Sequence, residues 1–68
     1  MSEPGRFLIY CIEIYRRAKA LTGRQAYDLF SATGADEYIR TCYGALHTTG
    51  ERYIIMDIDE FIAAHGVR

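Results

Sequence analysis

The chain has no tryptophan, one proline, two cysteines and almost no surplus of charge of either sign. Each shortage excludes something. Cys11 and Cys42 are too few and too far apart for a metal motif or a disulfide framework. Both fall on apolar faces, where free cysteine behaves as a small hydrophobe. A bridge between them would need their Cα atoms about 4.4–6.8 Å apart. Eight basic residues against nine acidic ones give a net charge of −1. That is not the basic excess from which a nucleic-acid binder draws affinity by neutralising phosphates. No apolar run approaches the roughly 20 residues of a membrane span, so no membrane is expected as a partner. The opening Met1-Ser2-Glu3-Pro4-Gly5 lacks a basic n-region and a cleavage site. A reducing cytoplasm is the expected location.

What the chain does have is apolar surface. Half of its 68 residues are hydrophobic, with six tyrosines and three phenylalanines. This is not the composition of a disordered segment. One small domain, residues 1–68, is expected. A chain of about 60 residues buries only about 60% of its unfolded surface. Its core rarely supplies more than roughly 3–5 kcal/mol without a disulfide, a metal or self-association.

The first candidate helix runs from Pro4 to Ala20 around the stretch FLIYCIEIY. At about 100° per residue, Phe7, Leu8, Tyr10, Cys11, Ile12, Ile14, Tyr15 and Ala18 form one arc of roughly 200°, with Ile9 among the polar residues opposite. Pro4 suits a first helical turn. Thr22-Gly23-Arg24-Gln25 has the form of a capping box and predicts the start of a second helix. Ala26, Tyr27, Leu29 and Phe30 make its apolar face, and Gly34 stops it. A third helix spans Ala35 to Leu46, with Asp36 and Glu37 at its positive end. Tyr38, Ile39, Cys42, Tyr43 and Leu46 form its inward stripe. Gly44 within it costs about 0.5–1 kcal/mol relative to alanine and suggests either a close helix approach or simple drift. Tyr53-Ile54-Ile55 reads as an extended buried connector. Asp57 and Glu60 then read as the N-cap and third residue of a fourth helix, closed by Gly66. The expected fold is all-α, a compact bundle of four short helices with tight connections.

An arc that wide on the first helix is more than the stripe of an ordinary surface helix. Leaving several large side chains wet forfeits roughly 1.5–3 kcal/mol each. The expectation is a non-enzymatic protein-interaction module, a homo-oligomer or the binder of a protein partner. Leu8, Ile9, Tyr10 and Ile12 are the candidate contact residues. The alternative is a small nucleic-acid-associated regulator using Arg16, Arg17, Lys19 and Arg24.

Three further constellations have the residue types of a site. His47-Thr48-Thr49-Gly50 would need an orienting acid and a pocket to act as a catalytic set. Its bland reading is a helix end, with histidine on the dipole, threonines bonding backbone and glycine at positive φ. Asp57, Asp59 and Glu60 resemble a calcium loop only in their acids, without its glycine and later glutamate. The second and third helices have the spacing of a helix-turn-helix, but Asp36 and Glu37 put the wrong charge at the end that would enter a groove. No catalytic residue, metal ligand or cofactor is assigned.

FLIYCIE near the start and ATGADEYIRTCYGALHTTGERYIIMDIDEFI from Ala32 to Ile62 resemble a family of short bacterial proteins of uncharacterised function. The run Leu46-His47-Thr48-Thr49-Gly50-Glu51 and the later Asp57-Ile58-Asp59 carry the resemblance most specifically. Genes of that family are often met beside a gene for a larger protein, some resembling toxins of the ADP-ribosyltransferase type. The resemblance therefore implies an accessory or antitoxin-like role beside a protein partner. It implies no catalytic residues.

Overall fold

Helix α1, Glu3–Ala18, is the central element and packs against three of the helices that follow it. The computed structural model describes residues 3–65. Among these, α2 spans Gly23–Thr33, α3 Ala35–Thr41, α4 Tyr43–Leu46 and α5 Glu51–His65. No strand occurs among the described residues, so the all-α expectation holds, with five helices in place of four. The Cα radius of gyration is 10.8 Å, close to the roughly 11 Å expected of a globule of this length. No helix among the described residues is long and apolar enough to cross a membrane.

The helix ends show why the chain turns where it does. Leu21 N–H donates to the Arg16 carbonyl and Ala20 N–H to that of Arg17, at 2.8 and 3.4 Å. This is the paired closure of a Schellman motif, and it places Ala20 in the left-handed region at φ 58°. The first helix thus stops two residues short of the Ala20 boundary. The capping box at Thr22 forms as expected: Gln25 N–H donates to the Thr22 hydroxyl, and Thr22 N–H to the Gln25 side chain. Gly34, at φ 84°, is the single hinge between α2 and α3.

Three expectations are corrected. The third helix is interrupted at Cys42, where the backbone relaxes to φ −96°, ψ 15°. Hydrogen bonds continue through the break, from Cys42 N–H to Tyr38 and from Leu46 N–H to Cys42, both 2.9 Å. It is one bent rod in two pieces, which gives the fifth helix. Gly44 has open space where a Cβ would stand, so no close helix approach explains it.

The larger correction concerns the C-terminal part. Tyr53-Ile54-Ile55 is not an extended connector, and Asp57 is not an N-cap. Both lie inside α5, which begins at Glu51 with Ile54 N–H donating to the Gly50 carbonyl at 3.0 Å. Gly50 does this without a positive φ. The helical period is present in the residues: Ile54, Ile58, Phe61 and Ile62 recur at i, i+4, i+7 and i+8 and point inward. The Gly66 stop lies outside the described residues. The core joins Phe7, Leu8, Cys11, Ile14 and Tyr15 of α1 to Phe30, Ile39, Leu46, Ile54 and Ile58.

Candidate interaction surface

Helix α5 carries its acidic residues in two roles. Ile58 is fully buried, and the carboxylates on either side of it reach in opposite directions. Asp57 accepts the Tyr38 hydroxyl at 2.6 Å, and Asp59 accepts the Tyr15 hydroxyl at 2.7 Å. Asp59 also takes the Lys19 ammonium at 2.7 Å, which lies 5.6 Å from the centroid of the Tyr15 ring. The Asp57-Ile58-Asp59 motif therefore ties α5 to α3 on one side and to α1 on the other. Helix capping does not account for it. Burial and then the Asp59 bond raise the Tyr15 pKa above its ordinary value. The Asp57 bond and then burial do the same to Tyr38. Both phenols are thereby held protonated as donors.

The segment from His47 to Gly50 closes α4. The His47 ring stacks on Tyr43 at 4.4 Å between centroids, with Nδ1 2.7 Å from the Tyr43 carbonyl. The Thr48 and Thr49 hydroxyls donate to the carbonyls of Ala45 and Leu46 at 3.1 and 2.8 Å. Each polar side chain is spent on the turn before it. Cys11 is no better placed for chemistry. Burial pushes its thiol up to about 12, leaving it protonated where a nucleophile needs a thiolate.

The four basic residues at the end of α1 and start of α2 do not form an open cationic stripe. Arg16 and Arg17 both face Glu13, Lys19 faces Asp59, and Arg24 faces Asp28. Glu13, bonded to Arg16 and near Arg17, is held below its usual carboxylate range. A phosphate would have to compete with a carboxylate at every one of these positions.

The apolar candidates on α1 are dispersed by the fold. Leu8 is buried in the chain's own core and Ile12 is half-buried against it. Ile9 and Tyr10 remain at the surface, 54% and 44% exposed. Tyr27, expected on the inner face of α2, is 50% exposed. Two residues of comparable exposure lie on α5: Tyr53, expected in a buried connector, at 55% and Met56 at 58%. With Asp57 and Glu60 they line a shallow groove of about 60 Å³ on the outside of α5. Small-molecule pockets run to about 300–1,000 Å³, several times this volume. Counted as a helix, Tyr53, Met56, Glu60 and Ala63 recur at i, i+3, i+7 and i+10 opposite the buried isoleucines. The outer face of the last helix thus carries the apolar Tyr53, Met56 and Ala63 beside the exposed charges of Arg52 and Glu60.

A family model described as "Protein of unknown function (DUF3791)" matches residues 6–65. The chain belongs to this family. The match takes in both tyrosine–aspartate ties and the whole Tyr53–Met56 face of this DUF3791 chain. Compared with the curated proteins and with the solved structures, the chain has no match.

Proposed function

We propose that this DUF3791 chain is a non-enzymatic protein-interaction module of the cytoplasm, which pairs with itself or with the product of a neighbouring gene. An antitoxin-like role is the specific form of this reading. The observation that carries it is the set of large apolar side chains left outside a very small core: Ile9, Tyr10, Tyr27, Tyr53 and Met56. Single exposed apolar residues are ordinary on any protein surface. Here, however, a single helix sets Tyr53 and Met56 on its outer face while its inner face is already buried. Covering the exposed half of one such side chain returns on the order of 1 kcal/mol, which is sizeable beside the roughly 3–5 kcal/mol of a core this size. Two unpaired cysteines suit a reducing compartment.

The test is a dilution series of solution mass together with co-expression and co-purification of the adjacent gene product. A mass above one chain, or a retained partner, is the expected result, and Ile9→Glu should lower the mass if α1 is the contact. A chain that stays single at every concentration and retains no partner overturns the reading. The nucleic-acid alternative has no comparable support, because Arg16, Arg17, Lys19 and Arg24 each already face a carboxylate.

A further inference from the structure

The outer face of α5 has an internal symmetry that neither the tyrosine–aspartate ties nor its core residues require. Arg52 and Glu60 stand four residues before and four residues after Met56. At about 1.5 Å per residue they lie roughly 6 Å to either side of it along the helix. Both are exposed, and neither has an ion-pair partner among the described residues. Every basic residue at the junction of α1 and α2, by contrast, does have one.

We infer that the Tyr53–Met56 face of α5 is the contact for a second copy of this chain, with the two α5 helices antiparallel and crossing at Met56. This deepens the interaction-module reading and rests on it. A two-fold axis at Met56 brings each Arg52 level with the partner's Glu60, so two opposite-charge pairs flank a Met–Met contact. The Tyr53 ring lies one turn before Met56 and covers the same seam. A parallel arrangement would set Arg52 beside Arg52 and Glu60 beside Glu60, which is repulsive at both ends. Self-complementary patches are what a two-fold interface demands. A different protein partner would have no need of charges spaced evenly about one residue. The net charge of −1 offers little long-range opposition to the encounter.

Sedimentation equilibrium on the full chain tests the pairing. Arg52→Glu places carboxylates against Glu60 twice per dimer, and Glu60→Arg does the same with cations. Each should raise the dimer Kd by about tenfold, while the combined R52E/E60R chain returns to within about threefold of the parent. The urea midpoint of each variant, measured where it is a single chain, should stay at the parent value because both side chains are exposed. Unchanged Kd in the single variants, or no recovery in the double, overturns the α5 pairing. If Ile9→Glu dissolves the dimer instead, or the chain stays single but retains a neighbouring gene product, the pairing is wrong and the interaction-module reading survives. Absence of both self-association and any retained product removes the two together.

Discussion

The hydroxyl of Tyr15 on α1 donates to Oδ1 of Asp59 on α5 at 2.7 Å, joining residues 44 positions apart. Asp59 is held from its other oxygen by Lys19, so one carboxylate closes the first helix onto the last. Tyr38 and Asp57 make the matching tie to α3 at 2.6 Å. These two contacts orient α5, and with it the outer face that carries Tyr53 and Met56.

Removing the first tie should be costly out of proportion to its exposure. Asp59→Ala leaves the buried Tyr15 hydroxyl without an acceptor, which costs about 1–3 kcal/mol. Urea unfolding of the two single variants and the pair, Tyr15→Phe with Asp59→Ala, should show a coupling of at least about 0.5 kcal/mol. Additive single effects would mean that the bond does not form in solution.

Alkali should loosen the fold for a stated reason. The thiol of Cys11 rises from its ordinary 9.0 to about 12 on burial, and the phenols of Tyr15 and Tyr38 rise above their ordinary 10.0. Above pH 9 the unfolded chain therefore gives up protons that the folded chain keeps. The unfolded state then binds fewer protons, so stability falls as pH rises. The contribution is fully present below pH 9 and is lost progressively above it. Tyr38→Phe keeps the ring against Phe61, 4.3 Å between centroids, and removes one titrating group. Its stability should fall less steeply above pH 10 than that of the parent chain.

Backbone conformation gives a set of substitutions with opposite signs. Ala20 occupies a left-handed position at φ 58° that glycine fills without strain. Ala20→Gly should stabilise by about 0.5–1 kcal/mol. Gly34→Ala, at φ 84°, should destabilise by a similar or larger amount. Gly44 lies in a helix with open space around its missing Cβ, so Gly44→Ala should stabilise by about 0.5–1 kcal/mol. Thermal midpoints check all three, since about 1 kcal/mol moves Tm by about 4–8 °C in a domain of this size.

The parts of the fold that were legible in the sequence are those fixed by neighbours a few residues away. The Thr22–Gln25 capping box, the Gly34 stop and the apolar arc of α1 all depend on local hydrogen bonds or helical period. The start of α5 at Glu51 is masked in the sequence because Asp57 and Glu60 have the spacing of a capping pair. Asp57 instead accepts from a tyrosine on another helix, and Glu60 stands exposed at the rim of the surface groove. Sequence spacing holds no record of a contact between α3 and α5. The period of Ile58, Phe61 and Ile62 extends back to Ile54, and that is the signal for the longer helix and for the outward face of Tyr53 and Met56. Leu8 is covered by the chain's own core for the converse reason. The width of an apolar arc says how much surface needs cover, and it does not say that α2, α3 and α5 suffice to cover that flank.

The most direct test of the central claim is the mass of the parent chain and of Met56→Glu by sedimentation, from micromolar to millimolar concentration. The account predicts a parent mass that climbs from 7.8 kDa toward twice that value. Met56→Glu should remain at one chain's mass with an unchanged unfolding midpoint when dilute. A parent chain that holds the single-chain mass throughout, or a Met56→Glu chain that associates as well as the parent, would contradict it.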